Sequence, residues 1–476
     1  MAQLLVRLHE QHASLEAISL VVVVMLLSVV LLVATSRSSR TEKLLKKIPS
    51  PPFKLPIIGH LHLVGSHPHV SLTDLARKHG PDVMLLRLGT VPTLIVSSPS
   101  AAKTVLRTHD HIFASRPPST VADILFNGST NIANAPYGDY WRHVRKIITT
   151  HLLTPRKVRS NLSFCEIEVQ LVLARLREAA TARTTVDLSK LFSYYVKDVV
   201  CQAVLGRLPR EAGWNKAARH KKRWDDLLDD LIDKHTSKPV GEYEDEDFLD
   251  VLLSAQTKYN LTRHNIKAIL MDVFEAATHT TYIALDYAMA ELIRKPHVMY
   301  KLQTEVRRCK TNGKEVAYQE DLSSLTYLRA VMKETLRLHP PGPLLAPHFS
   351  MADCDVEGYI IPSRTRVVLN VWALGRDSSC WENPEEFMPK RFLEEGVDAA
   401  SEFQGNDFRF LPFGSGRRIC PAISFATATF EIMLANLIYH FNWELPAGLL
   451  GIDMTEVFGL DVHRKENLLL VPCIHT

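Results

Sequence analysis

The sequence predicts a mostly α fold with small β-sheets, preceded by an N-terminal transmembrane helix, and three observations carry that expectation. Residues 262–295 hold one unbroken helical pattern between Thr262, suited to N-capping, and Pro296, which stops it. Strand-like alternation is confined to short stretches: VMLLRLGTVPTLIV over 83–96, then segments near 359–361 and 366–371. Residues 17–34, AISLVVVVMLLSVVLLVA, carry no charge, and as a helix they reach about 27 Å, enough to cross a thin bilayer.

Composition bounds the function. A chain of 476 residues, 46% apolar, is ample for one large globular unit or two smaller ones and does not suggest disorder. Lys plus Arg number 56 against 52 Asp plus Glu, so the basic excess is too small for a nucleic-acid partner. Seven cysteines, at 165, 201, 309, 354, 380, 420 and 473, are odd in number and scattered, which argues against a disulfide framework and for a reducing compartment.

The apolar run is followed by Arg37, Arg40, Lys43, Lys46 and Lys47, against Arg7, Glu10 and Glu16 before it, and this asymmetry leaves the body in the cytosol. A cleaved secretory signal is the competing reading. The run is long for a signal and the cysteines oppose secretion, so the expectation is an uncleaved single-pass anchor in the endoplasmic reticulum membrane. The organisation expected is an N-terminal segment with the anchor (1–36), a basic, proline-rich hinge (37–59) and a body (60–476). Repeated prolines in PSPPFKLPIIG, 49–59, forbid helix and stiffen the exit from the membrane. His60, His62, His67 and His69 follow. With no acidic or cysteine partner nearby they read as a surface loop.

The stretch 83–96, broken by Gly89 and Pro92, reads as a hairpin, and helical patterns resume at Ser100. Residues 115–140 are rich in Pro, Gly, Asn and Ser and too long for a plain connector, a length at which loops are usually functional. Trp141 and Arg145 lie four apart on the next helix, where they share a face: either they bond a buried anion together, or they are a surface aromatic with a cation nearby. Helical patterns cover 186–205 and restart at Lys222, leaving the sixteen residues 206–221 between them, too few for two average helices.

The helix over 262–295 would be about 51 Å long, with Ile266, Ile269, Leu270, Val273, Phe274 and Ala277 as its apolar face. At its middle, Ala276 and Ala277 permit close approach of a planar ligand, and the hydroxyl of Thr280 can compete for a helix carbonyl. His279 is either a proton carrier near neutral pH or a surface residue. A helix from 324 ends at Pro340 and places Glu334 and Arg337 side by side; Pro389-Lys390-Arg391-Phe392 appears downstream. The segments 359–361 and 366–371 fit a second small sheet.

Residues 413–422 read FGSGRRICPA. Gly414 and Gly416 allow a tight turn, Phe413 gives apolar cover, and Arg418 can meet a carboxylate with its fork. A thiol beside arginines is expected to ionise, which makes Cys420 the best-placed metal ligand in the chain. No Cys or His stands at zinc-finger spacing from it, and the plainer reading is one buried cysteine in a turn. An amphipathic helix, 423–441, would set its partly positive N-terminus near the sulfur.

This loop resembles the haem-binding loop of the cytochrome P-450 family, the haem-thiolate monooxygenases. The order of anchor, proline hinge, long central helix, Glu-Arg helix, second arginine and cysteine loop is similar to microsomal members over nearly the whole chain. The resemblance implies haem b with Cys420 as its axial iron ligand, a thiolate that favours O–O cleavage. It also implies that Thr280 steadies oxygen and its proton, and that His279 stands where the family usually has an acid. Trp141, Arg145, His348, Phe413, Gly414 and Arg418 would hold the haem, and Glu334, Arg337 and Arg391 would form a buried structural triad. Val121, Ile124, Leu125, Phe126, Ala276, Leu344, Leu345 and Phe458 would line the substrate pocket.

The resemblance further implies O2, a small hydrophobic substrate and NADPH acting through a membrane reductase, for which Arg142, Lys146 and Arg417 are either a docking face or a solvated rim. Ala422 replaces a usual glycine and Lys390 a frequent glutamate. The family places a helix pair over the pocket where this chain has only 206–221, so a local deletion is expected there, from a shortened gene model, a splice form or real loss of the roof. Within the family, KLPIIGHLHLVG and DMTEVFGL look closest to plant enzymes of the grass benzoxazinoid pathway, which hydroxylate indole-derived rings. The alternatives are a haem protein whose monooxygenase activity is impaired or replaced, through the missing roof or through His279 breaking proton delivery or binding the iron, and a tethered protein without haem.

Overall fold

The computed structural model describes residues 22, 24, 25, 28, 40–205, 221–237, 247–308, 319–322, 324–393 and 403–475. The expectations of an anchor at 17–34 and of a local deletion at 206–221 lie outside the described residues, apart from Val22, Val24, Met25, Ser28 and Lys221. Among the described residues no helix is long and apolar enough to cross a membrane.

The first part of the body builds a mixed sheet. Helix α1 (Pro68–His79) leads into β1 (Val83–Leu88) and β2 (Val91–Val96), an antiparallel hairpin turning at Gly89, whose φ of +65° suits glycine. The long stretch 115–140 is not wholly irregular, because Ser119 caps a short helix, α2 (Thr120–Leu125), through the Ala122 N–H. Helices α3 (Asp139–His151) and α4 (Pro155–Ala182) follow, then the short strand β3 (Val186–Asp187) and α5 (Leu188–Leu205). The chain continues through α6 (Lys221–Thr236) and α7 (Phe248–Tyr259).

Helix α8 (Arg263–Arg294) is the expected central element. Thr262 and Asn265 exchange side-chain and backbone bonds in a capping box, and Pro296 opens the next helix, α9 (Pro296–Arg307), so both ends fall where the sequence placed them. Leu285 and Met289 of α8 pack with Leu176 of α4, Phe192 and Val199 of α5 and Leu434 of α11 (Ile423–His440) in the main core. Burying each such side chain contributes about 1.5–3 kcal/mol. Residues 428–438 of α11 are buried on every face, so this helix is a core helix and not the amphipathic one its sequence suggested. The Glu-Arg helix is α10 (Thr326–Leu338).

Strands β4 (His348–Phe349), β5 (Cys354–Val356), β6 (Tyr359–Ile361) and β7 (Arg366–Leu369) divide differently from the expected second sheet. β7 lies parallel to β2 in the order β1-β2-β7-β4, and β6 pairs with β5 alone. Alternation marks a strand without naming its partner, and here the partner lies far back in the chain. At the C-terminal end β8 (Phe441–Glu444), β11 (Leu469–Ile474) and β3 form one sheet, while β9 (Glu456–Phe458) and β10 (Val462–Arg464) form a hairpin against α8.

Candidate active site

The cysteine loop closes on itself: Cys420 N donates to Phe413 O at 3.0 Å and Ile419 N to Gly416 O at 3.1 Å. Gly414 and Gly416 have φ of +70° and +67°, and a Cβ on Gly416 would stand 2.3 Å from Leu106 O, so the loop seats against its neighbour only as glycine. Ala422 fits without strain, since its φ is −99° and its carbonyl accepts Ala426 N at 2.9 Å in the first turn of α11.

Cys420 is not the pre-ionised thiolate expected. Burial raises its pKa, and the Ala422 N–H and the charge of Arg145 only partly oppose this. The two neighbouring arginines act elsewhere. Arg417 pairs with Asp110, and Arg418 donates to the carbonyls of Ala114 (2.6 Å), Ile132 (3.1 Å) and Ala135 (2.6 Å). A metal cation would supply the positive charge that stabilises the thiolate and offsets this burial.

Beside the loop lies a half-buried cationic cluster. Arg418 stacks 4.3 Å from the Trp141 ring centre, and Arg116 donates to Ala133 O at 2.9 Å and to Pro347 O at 2.8 Å. Burial depresses Arg418 to about 9, Arg116 to about 10 and His348 to about 3; the charges of Arg116 and Arg145 add to the shift of Arg418 and those of Arg116 and Arg418 to that of His348, while Asp272 partly opposes it at Arg116. His348 is neutral and donates from Nδ1 to Phe113 O at 2.8 Å. Asp272 of α8, lifted to about 6 by burial, is the carboxylate that reaches this cluster through Arg116, and its Oδ2 accepts Ala133 N at 2.9 Å. Trp141 gives its indole N–H to Ile132 O at 3.1 Å, so of the expected pair only Arg145 keeps donors for an anion; its guanidinium makes no hydrogen bond among the described residues. A half-buried cluster richer in guanidinium than in carboxylate fits an anionic ligand edge, as the propionates of a haem would present.

In the middle of α8, Ala276, His279 and Thr280 are exposed while Thr278 and Thr281 are buried. Thr280 Oγ1 donates to Ala276 O at 2.8 Å. His279 places Nδ1 3.1 Å from Asp461 Oδ2 and Nε2 3.8 Å from Glu275 Oε2, so both nitrogens face carboxylates. The Asp461 hydrogen bond is the main cause of its raised pKa.

The expected pocket residues separate. Val121 and Ile124 stand on α2, 66% and 61% exposed, while Leu125 and Phe126 are half-buried, Phe126 against the main core. Leu345 has its Cδ1 3.7 Å from where a Cβ of Gly414 would be, which brings it to the cysteine loop. Leu344 packs toward Leu72, Met84 and Leu86, and Phe458 stacks 5.8 Å from His69. Phe413 meets Phe403 edge-on at 5.3 Å.

Glu334 takes Arg337 Nε at 2.7 Å and Arg391 Nε at 3.1 Å, and Arg337 goes on to the carbonyls of Gly375 and Pro384, so the three expected triad residues meet in one buried node. Lys390 is exposed beside it. The histidine run is only in part a surface loop: His62 is exposed and His67 half-buried, but the other two are not at the surface. His60 is buried with Nδ1 accepting Arg87 N at 2.9 Å, and His69 is fully buried with Nε2 3.2 Å from Glu456 Oε2. Sequence reasoning missed Arg116, Asp272, Glu456 and Asp461, each matched to a partner far away in the chain.

The family model Cytochrome P450 matches residues 49–211 and 207–470. Among similar proteins are the Zea mays indole-2-monooxygenase, 51% identical over 91% of this chain and 89% of that one, and indolin-2-one monooxygenase, 48% identical over 97% and 96%. The Zea mays 3-hydroxyindolin-2-one monooxygenase is 46% identical over 96% of this chain and 95% of its own. A zebra fish cytochrome P450 structure with abiraterone superposes with a TM-score of 0.76 at 25% identity, covering 86% of this chain and all of that one.

Proposed function

The chain belongs to the cytochrome P450 family and to its monooxygenases, and from that premise we propose that it inserts one oxygen atom of O2 into a small, hydrophobic, indole-derived plant metabolite, using electrons from an NADPH-dependent reductase. The observation that carries the reading is the Cys420 loop set beside the half-buried Arg116–Arg145–Arg418 cluster. The substrate class rests on the maize relatives, whose names specify indole and indolinones.

Haem b fits these residues: Cys420 as thiolate ligand, Arg145, Arg418 and His348 at the propionate edge, Phe413 and Gly414 as cover. When bound, haem supplies oxygen activation, and the thiolate favours O–O cleavage. The protein's own contribution is then positional. Trp141 and the carbonyls of Ala114, Ile132 and Ala135 hold Arg418 in place, and the Glu334–Arg337–Arg391 node fixes the chain that leads into the cysteine loop. Thr280 offers a hydroxyl and His279 a proton on the same exposed step of α8. Leu345 and the exposed face of α2 give an apolar substrate its contacts. The basic flank after residues 17–34 supports a single-pass anchor in the endoplasmic reticulum membrane, with the body in the cytosol. Arg142 and Lys146 are exposed on α3, within reach of a reductase.

A second reading, a haem protein of this fold with impaired turnover, is favoured by one observation. The alignment to the indolin-2-one monooxygenase runs over 515 positions but draws on 97% of this chain's 476 residues, so about fifty positions face nothing here. The two stretches matched by the family model overlap at 207–211, within the segment where a shortened roof is expected. Loss of a roof would admit water and lower coupling.

The test is the carbon-monoxide difference spectrum of the reduced, membrane-expressed chain beside Cys420→Ala. A thiolate band present in the first and absent in the second supports the haem-thiolate reading; its absence from the first rejects it. Product formed from indole or an indolinone with reductase and NADPH then separates monooxygenase from impaired haem protein.

A further inference from the structure

The β9–β10 hairpin is fastened to the second half of α8 at three points. Glu456 Oε1 accepts from Tyr287 Oη at 3.3 Å, Asp286 Oδ2 accepts from Arg464 Nε at 2.9 Å, and Asp461 Oδ2 accepts from His279 Nδ1 at 3.1 Å. The Asp286–Arg464 contact is buried, 7% and 2% exposed. The third is the open one: His279 is 47% exposed, Asp461 is 13%, and the contact stands next to Thr280.

Resting on the monooxygenase reading above, we propose that Asp461 is the positioning residue for His279, holding its imidazole as the proton-bearing group beside Thr280. An imidazole on an exposed helix step is otherwise free to turn about its side-chain torsions and to exchange tautomers. A carboxylate on Nδ1 fixes the ring and keeps a proton on that nitrogen, so Nε2 is the atom that gains or loses one. Asp461 also lies 3.4 Å, through Oδ1, from Nδ1 of His463, a partly exposed residue of β10. The carboxylate thus stands between two imidazoles, hydrogen-bonded to the one on α8. Monooxygenation draws two protons and two electrons for each O2 split between product and water, so a group that refills with protons at this step is required.

The groups facing His279 come from every neighbouring element. Glu275 and Tyr282 are on α8, Asp461 on the hairpin and Lys197 on α5. Asp461 and Glu275 favour the imidazolium, while Lys197 and partial burial oppose it. The carboxylates win, and no residue of the cysteine loop takes part.

The experiment is the titration of His279 in the full-length ferrous carbonyl protein with 13C-labelled histidine, its signal identified by loss in His279→Gln. The expected midpoint lies above the usual value of about 6.5. It should fall by about one unit or more, tenfold in proton affinity, in Asp461→Asn, and recover in Asp461→Glu. The alkaline limb of product formation should follow the midpoint through the three proteins while KM stays constant. An unchanged midpoint in Asp461→Asn overturns the proposal. A midpoint that moves without the alkaline limb reduces Asp461 to a hairpin clasp and overturns its role in the reaction. If the wild-type chain shows no thiolate band, the monooxygenase reading fails first, and the same titration of the haem-free chain still decides whether Asp461 positions the ring.

Discussion

Glu334 and Arg391, 57 positions apart in the chain, meet at 3.1 Å with the carboxylate wholly buried and the guanidinium nearly so. Glu334 also holds Arg337, accepts Met388 N at 2.6 Å, and so joins α10 to the segment leading toward the cysteine loop. Replacing Glu334 by Gln keeps the shape and removes the charge between two buried guanidiniums. Breaking one partner of a buried ion network costs about 3–5 kcal/mol, because the remaining charges stay desolvated. Glu334→Gln should therefore lower the thermal midpoint sharply and yield little haem-loaded protein. A variant with a wild-type melting curve would show that the node does not hold the fold.

Arg418→Lys tests the cationic cluster. Lysine keeps the charge but cannot reach three carbonyls at once or stack flat on Trp141. Each lost hydrogen bond is worth about 0.5–1.5 kcal/mol and the cation–π contact a similar amount, so a loss of about 2–4 kcal/mol is expected. Haem retention after gel filtration should drop well below wild type, whereas Arg417→Lys, whose residue pairs with Asp110 at the surface, should leave it unchanged.

Gly416→Ala and Gly414→Ala should differ, although both glycines have positive φ. At Gly414 the nearest atom to a new Cβ is Leu345 Cδ1 at 3.7 Å, so only the left-handed strain of about 1–2 kcal/mol applies. At Gly416 the Cβ would meet Leu106 O at 2.3 Å and backbone must move. The expected order of haem content is wild type, then Gly414→Ala, then Gly416→Ala close to none; equal losses would mean that the contact with Leu106 is irrelevant.

The legible parts of this protein were those coded over a few residues. Thr262 and Pro296 bracket α8 because capping and the missing proline N–H act within one turn, and the FGSGRRICP run is a local turn. The illegible parts are pairings across hundreds of residues. His69 reads as a loop histidine until Glu456, 387 positions later, is folded against it, and β7 reads as half of a local sheet until β2 is found beside it. The direction of the Cys420 pKa was misjudged for the same reason. The adjacent arginines are near in sequence, but their guanidiniums are drawn off to Asp110 and to the carbonyls of 114–135, and burial decides the outcome.

Glu456 gives the sharpest pH prediction. Its carboxylate lies 3.2 Å from His69 Nε2, accepts Tyr287 Oη at 3.3 Å and stands 3.9 Å from His339 Nδ1, tying α1, α8 and the end of α10 to the β9–β10 hairpin. Burial alone would raise its pKa, but the hydrogen bonds and charges of His339 and His69 outweigh burial and hold it well below the ordinary value. A carboxyl whose folded pKa is depressed contributes stability that is present above its unfolded pKa of about 4.3 and is lost as pH falls below it, because only the unfolded chain then takes up the proton. Urea midpoints should therefore hold from pH 6 to about pH 5 and decline as the pH falls through about 4 and below in the wild type, the window between the unfolded and the depressed folded pKa. Glu456→Gln should lose about 1–3 kcal/mol at pH 7, where its histidines lack their charged acceptor, and should decline less over the same interval, so that the two curves converge toward acid. Parallel curves would mean that the acid sensitivity arises elsewhere, and that this buried contact fastens the hairpin through shape alone.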